Sequence, residues 1–163
     1  MAMTEANPVA RVLVLGPGGS GKSTFACALG LQLRLPVVEL DRVYWDERLT
    51  PRPAEEWEAM QRRLIGAPRW ILDGDLGPYD ALDVRLRAAD TVVLLDFPLW
   101  RCAWRSWRRS RERPDYWRWL ASWRRRYRGP LRAALEAAGP SLTVHAPRNP
   151  RQVEALLRRL SVD

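Results

Sequence analysis

A glycine-rich segment near the start of the chain has the residue types that bind phosphate groups. Its sequence, GPGGSGKS, occupies residues 16–23 and matches the pattern G-x-x-x-x-G-K-[ST]. Glycines let the backbone curl with its N–H groups pointing inward, and a following helix N-terminus adds further donors, which makes a nest for anions. In this pattern Lys22 reaches the β- and γ-phosphates of a nucleoside triphosphate, and the Ser23 hydroxyl can ligate Mg²⁺. The residues predicted to contact the nucleotide here are Gly16, Gly18, Gly19, Ser20, Gly21, Lys22, Ser23 and Thr24.

The basic residues of the chain are almost all arginine. Of 27 Lys and Arg residues, Lys22 alone is lysine. Its position inside the loop favours a phosphate-binding function over the alternative, a structural glycine turn. Residues 99–163 contain 16 arginines and 5 acidic residues, a net charge of +11 in a chain whose net charge is +8. A basic half indicates an anionic partner, either a polyphosphate ligand or nucleic acid.

Length and composition predict one domain over residues 1–163. Apolar residues make up 47% of the chain, which excludes a disordered protein. No apolar run reaches the roughly 20 residues that span a bilayer, and the first ten residues lack the features of a secretion signal. We therefore expect a cytoplasmic protein with no membrane partner. Cys27 and Cys102 are too few for a disulfide framework or a metal site, and we expect both to be buried thiols in helices.

Short apolar strands alternate with helices along the sequence. This order predicts a parallel sheet covered on both faces. Helices are predicted after the glycine-rich loop, from Pro53 to near Gly66, over YDALDVRLRAAD, on each side of Pro114, and over NPRQVEALLRRL. The five predicted strands are PVARVLVLG, PVVELD, RWILDGD, TVVLLDF and SLTVHA.

Three aspartates lie at the carboxyl ends of predicted strands. They are Asp41, Asp73 and Asp96. Ligands collect at this edge of an open α/β sheet, although an aspartate at such a position can also simply cap a helix or form a turn. With a phosphate-binding loop at the same edge, we expect at least two of the three to line the site.

Two segments carry a resemblance to a known family. ILDGD resembles the strand end L-D-G of adenylate kinases, and LLDFPLWRCAWRSWRR resembles the next strand and the arginine-bearing helix of that family. Together with LDRVYW and ERPD, they resemble a narrower branch, the small P-loop proteins grouped under topology modulation. The resemblance implies that Asp73 holds a water on Mg²⁺. It also implies that Arg105 and Arg109 contact adenine and phosphates.

The resemblance further implies a three-layer α/β fold of the P-loop NTPase type. Its parallel sheet would have the strand order 2-3-1-4-5, with a short Arg-rich helical lid over approximately residues 105–128. The implied activity is phosphoryl transfer from ATP with Mg²⁺ to a small acceptor: a nucleotide, a nucleoside or another hydroxy compound. Asp41 is predicted on the acceptor side, where it orients a hydroxyl or accepts its proton. Arg148 falls in a loop that related kinases place against adenine.

The sequence departs from the family on the acceptor side. Where adenylate kinases have an arginine that grips the phosphate of AMP, this chain has Gly77. Arg85 or Arg42 could replace that arginine. The sequence therefore does not predict AMP as the acceptor.

The Arg/Trp-rich region has three interpretations. Trp100, Trp104 and Trp107 share one face of a predicted helix. The region could be two helices packed through their aromatic side chains, a lid whose arginines close over a triphosphate, or a surface that binds nucleic acid through arginines and stacked bases. Which of Arg124, Arg125 and Arg126 points inward stays open.

The rival function is an ATP- or nucleic-acid-binding regulator of DNA topology with little turnover. The basic half of the chain supports it, but the sequence has no helix-turn-helix, zinc-finger or RNP signature. His145 is the only histidine. We expect it to be a structural residue at the end of a strand.

Overall fold

Five parallel strands form the central sheet, in the order β2-β3-β1-β4-β5. The computed structural model describes residues 9–45, 50–74, 82–109 and 114–160. The strands are β1 (Arg11–Leu15), β2 (Val37–Glu39), β3 (Trp70–Asp73), β4 (Thr91–Leu94) and β5 (Thr143–His145). The predicted fold class and strand order are thereby confirmed.

Helices connect the strands and cover both faces of the sheet. They are α1 (Lys22–Leu33), α2 (Leu40–Tyr44), α3 (Ala54–Ile65), α4 (Leu82–Ala88), α5 (Leu99–Arg109), α6 (Pro114–Arg126), α7 (Arg128–Ala137) and α8 (Pro150–Leu160). In the part of the chain that is described, none of them is long and apolar enough to cross a bilayer.

The strands are apolar throughout because both of their faces are buried. Along β1, Val12 and Val14 pack with α1 and α8 on one side of the sheet. Leu13 and Leu15 pack on the other side with residues of α3, α6 and α7. Successive side chains of a strand point to opposite faces, so this alternation divides the core into two layers around the sheet.

The described part of the Arg/Trp-rich region, residues 99–109 and 114–137, contains three helices rather than two. α6 ends at Arg126, and α7 begins at Arg128 after the single residue Tyr127. Pro130 has no backbone N–H to donate to the carbonyl of Arg126, which interrupts the helical hydrogen-bond ladder at this point. The sequence analysis identified Pro114 as a helix breaker but missed this second interruption.

The two cysteines differ in exposure. Cys102 is buried, whereas Cys27 is exposed. The prediction of two buried thiols is therefore wrong for Cys27. α1 buries the face that contains Phe25, Ala26 and Leu29, and Cys27 lies on another face.

Candidate functional site

Residues 16–23 form a loop between β1 and α1, which we call the phosphate loop. Gly16, Gly19 and Gly21 have φ angles of 141°, 74° and 98°, which residues with a Cβ rarely adopt. α1 begins at Lys22, inside the loop. The unpaired N–H groups of its first turn and the positive end of its dipole therefore lie at the loop. This is the geometry of an anion-binding site.

The Lys22 ammonium group lies over the phosphate loop. Its Nζ donates hydrogen bonds to the carbonyl oxygens of Gly16, at 2.8 Å, and Pro17, at 3.2 Å. Ser20 is buried within the loop, and Ser23 and Thr24 are exposed on the first turn of α1. A cation on a flexible stem therefore lies next to the backbone donors, where a phosphate group would meet both.

Asp73 lies beside this loop because of the sheet register. It ends β3 and is paired with Val14 of β1. Asp73 is 4% exposed, and its carboxyl lies near the Ser23 hydroxyl. Burial raises the pKa of Asp73 above its ordinary value of 3.8, the Ser23 hydrogen bond and Lys22 oppose that rise, and Glu39 adds to it. Among the described residues, Oδ1 of Asp73 has no hydrogen-bond partner.

The Ser23–Asp73 pair fits a magnesium site that is completed by phosphate. Among residues 9–45, 50–74, 82–109 and 114–160, no three His, Cys, Asp or Glu side chains form a group that could hold a metal by themselves. Mg²⁺ is commonly held by one or two carboxylates together with substrate phosphates and water. A hydroxyl and a carboxylate with an available oxygen, next to the phosphate loop, meet that requirement.

Glu39 is a site residue that the sequence analysis missed. It ends β2, and the parallel register pairs it with Asp73. Its carboxylate forms an ion pair with Arg42, with 2.9 Å between Glu39 Oε2 and Arg42 Nε. The Arg42 side chain is 78% exposed. Asp41, predicted at the strand end, instead lies exposed on the first turn of α2. The strand ends two residues earlier than expected, so Glu39 is the acid that the register places next to Asp73.

Helix α5 covers one side of the phosphate loop. A Cβ at Gly19 would lie 2.5 Å from the Ser106 hydroxyl, and one at Gly21 would lie 3.3 Å from the Arg105 guanidinium. At Gly19 the loop has room only for glycine, because a Cβ would also collide with the Cys102 carbonyl oxygen, whereas at Gly21 the φ of 98° favours glycine. Arg105 lies beside the loop, and Arg109 is exposed one turn further along α5.

A hydroxyl pair joins α5 to α6 above the loop. The Ser106 and Tyr116 hydroxyl oxygens are 2.6 Å apart. A Cβ at Gly18 would collide with the Tyr116 ring. The two helices of the predicted lid thus contact the phosphate loop together.

Asp96 is held by α7 rather than by the phosphate loop. Its Oδ2 accepts hydrogen bonds from Arg128 Nη2, at 2.6 Å, and from Arg128 Nε, at 2.8 Å. Arg132 Nη2 lies 3.6 Å from the same oxygen. Both arginines lie on α7. Of the three predicted aspartates, Asp73 is the one for which a contact with the phosphate loop is described, through Ser23.

The two arginines considered for the acceptor side have different environments. Arg85, on α4, is fully buried and donates a 3.0 Å hydrogen bond to the carbonyl of Gly74, the residue after Asp73. Arg42 is exposed and paired with Glu39. Arg85 therefore lies at the carboxyl edge of the sheet, near Asp73. Gly77 lies outside the described residues.

The remaining predicted residues lie near the start of α8 or on α6. The Arg148 amide donates to Gln152 at 2.7 Å, and the Gln152 amide donates to Asn149 at 3.0 Å, so Asn149 and Gln152 cap α8. The Arg148 side chain is exposed, as are Arg124, Arg125 and Arg126 at the end of α6.

His145 ends β5. Its Nδ1 lies 3.2 Å from Nη2 of Arg159. Burial and the Arg159 charge lower the pKa of His145.

Comparison with known proteins identifies the fold. The sequence matches no family model and no curated protein. The structure resembles a sugar kinase from a Janibacter species at 22% identity and a TM-score of 0.61, covering 95% of this chain and 96% of the other. A shikimate kinase from Acinetobacter baumannii in complex with shikimate matches at 16% identity and 0.62, covering 93% and 90%. A gluconokinase from Sinorhizobium meliloti matches at 17% and 0.56, covering 96% of each chain. The chain thus has the fold of P-loop kinases.

Proposed function

We propose that the protein transfers the terminal phosphoryl group of ATP, with Mg²⁺, to a hydroxyl group of a small molecule. The observation that carries this proposal is the phosphate loop with the Lys22 ammonium hydrogen-bonded to it and Asp73 placed beside it by the β1–β3 register. The loop amides and Lys22 hold the phosphates. Ser23 would ligate Mg²⁺, and Asp73 would hold a water molecule bound to it. The bound metal would neutralise charge on the phosphates. The similar solved structures, kinases of sugars, shikimate and gluconate, support a small hydroxy acceptor.

The acceptor side is formed by Asp41, Glu39 and Arg85. In the transfer, the acceptor oxygen forms a bond to the γ-phosphorus, the bond from that phosphorus to the β,γ-bridging oxygen breaks, and ADP leaves. The hydroxyl proton passes to a carboxylate. We assign this role to Asp41, with Glu39 as the neighbouring acid. Arg105 and Arg109 neutralise charge on the transferring group from the lid of residues 105–128, and Arg148 contacts the adenine.

The finer assignment is to the adenylate kinase-like, topology-modulation branch. The segments LDRVYW and ILDGD and the Arg-rich helix α5 support it. A deoxyadenosine kinase from M. mycoides with bound dCTP, 12% identical with a TM-score of 0.53, shares the fold. Nucleosides and nucleotides therefore belong among the acceptors to be tested, and we propose a cytoplasmic site of action.

A panel of acceptors tests the proposal. The purified full chain is incubated with ATP labelled in the γ-phosphate, Mg²⁺, and nucleosides, nucleoside monophosphates, sugars or hydroxy acids. We expect labelled product from at least one class. Lys22→Ala should reduce transfer by about 10- to 100-fold, the effect of losing one charged hydrogen-bond donor. Absence of transfer across the panel, with equal ATP affinity of both proteins by calorimetry, would contradict the proposal.

A further inference from the structure

Three tryptophans form an exposed ridge on α5. The side chains of Trp100, Trp104 and Trp107 are 73%, 53% and 71% exposed. Their spacing places them on one side of the helix, along about 10 Å of its length. On the other side, Cys102 and Ser106 are buried near the phosphate loop. The interpretation as helices packed through their aromatic side chains therefore does not hold for these three tryptophans, and the described residues leave most of the apolar face that they form exposed.

Arginines accompany this tryptophan ridge. α5 contains four of them and no acidic residue. The guanidinium carbon of Arg108 lies 4.8 Å from the centre of the Trp104 ring, a cation–π contact. A partner that covers the ridge must therefore accept indole rings and positive charge on the same surface.

We propose that the tryptophan ridge and Arg108 dock the protein on an anionic lipid surface. Indole rings favour the boundary between headgroups and acyl chains, because one side of the ring system is apolar and the N–H is polar. Guanidinium groups on the same helix meet anionic headgroups at that depth. The Arg108–Trp104 contact keeps a positive charge next to an exposed indole ring, so one anionic surface can meet both. This proposal does not depend on the phosphoryl-transfer activity.

Charge and geometry disfavour the other occupants. A two-fold dimer would place the same surface against itself, so the Arg108 charge beside one ridge would meet the same charge of the other. Base stacking by nucleic acid needs open ring faces, whereas Arg108 lies over one face of Trp104. A lipid surface requires neither an acidic partner patch nor a free indole face.

Vesicle binding tests the proposal with the full chain. Vesicles of phosphatidylcholine, with and without phosphatidylglycerol, are sedimented with the protein over a salt series. We expect binding to the anionic vesicles that weakens with salt. Trp100→Ala combined with Trp107→Ala should lower the partition coefficient at least about tenfold. Arg108→Gln should weaken binding and make it less sensitive to salt. Leu31→Ala, at an 83% exposed position on α1, is the matched control and should bind like the wild type.

Three outcomes would overturn the proposal. One is equal binding of the wild type and the tryptophan double variant, and another is no binding to anionic vesicles. The third is a ridge-dependent complex with single-stranded DNA, or a ridge-dependent dimer by sedimentation velocity, without vesicle binding. Thermal unfolding of each variant shows that the compared proteins are equally folded.

Discussion

Asp73 combines a buried carboxyl with a proposed catalytic role, and this has a consequence for stability. Its folded pKa is raised above the ordinary value of 3.8, mainly by burial. The stabilising effect of the protonated form is therefore complete below pH 3.8 and is lost as the pH rises through the raised pKa. Asp73→Asn removes this titration. We expect the variant to gain stability relative to the wild type across that pH range, then keep a constant advantage towards neutral pH.

Denaturant unfolding of both proteins over a pH series measures this difference. In the same variant, Mg²⁺-dependent turnover should fall by about 10- to 100-fold, as when a group that orients a metal shell is lost. A difference in unfolding free energy that does not change with pH would show that Asp73 is not held in the environment described.

Asp41 and Glu39 provide two carboxylates with separable roles. Asp41→Asn should reduce acceptor use by about 100-fold or more, the range for a general base, and spare ATP binding. Glu39→Gln should lower the pKa of Asp73, because Glu39 helps to raise it. Steady-state kinetics with varied acceptor and calorimetry with ATP test the effect of Asp41→Asn. The pH series of denaturant unfolding, repeated with Glu39→Gln, reports the change in the Asp73 pKa. If Asp41→Asn abolished ATP binding and spared acceptor affinity, the assignment of Asp41 to the acceptor side would be wrong.

At the residue scale, the sequence predicted site residues that are adjacent in the chain. It did not predict contacts that depend on strand register. The glycines, Lys22 and Ser23 follow one another in the sequence, so their proximity needs no knowledge of the fold. Glu39 comes close to Asp73 only through the pairing of β2 with β3. The sequence contains no local signal for that register, and the end of the strand was placed two residues too late.

Helices α5 and α6 place tryptophans in opposite environments. Trp123 of α6 is fully buried, and Trp107 of α5 is 71% exposed. Trp123→Ala removes a large side chain from the core and should lower the free energy of unfolding by about 3–5 kcal/mol. Trp107→Ala should change it by no more than about 0.5 kcal/mol. Urea unfolding of both variants measures the contrast, and a large loss for Trp107→Ala would mean that α5 packs through this face.

The strands were predictable as elements and the helix faces were not. β-branched apolar runs that end at Gly or Asp predict buried strands with local information alone. On α5, tryptophan and arginine give an amphipathic pattern that fits both a packed helix and an exposed one. Which face is buried depends on the approach of Cys102 and Ser106 to the phosphate loop, a contact between distant parts of the chain.

At the scale of the whole molecule, the segment that contains α5 and α6 adjoins the same residue, Asp96, at both of its ends. Before α5, β4 leads to Asp96. After α6, Arg128 pairs with that same Asp96 at 2.6 Å. Between these points, α5 and α6 contact the phosphate loop through Ser106 and Tyr116. A nucleotide at the loop would therefore lie next to both helices.

Arg109 distinguishes a lid from a nucleic-acid surface. If residues 105–128 form a lid, Arg109→Ala should reduce the catalytic rate more than ATP affinity, because charge from the lid matters most as the phosphoryl group transfers. If the region binds nucleic acid, Arg109 is one phosphate contact among many. Its loss should then reduce the slope of log binding constant against log salt concentration by about one. We expect the first result, because Arg105 on the same helix lies beside Gly21. Turnover, ATP affinity and DNA binding are compared for the wild type and Arg109→Ala over a salt series. Tight, salt-dependent DNA binding without phosphoryl transfer to any acceptor would favour a regulator instead.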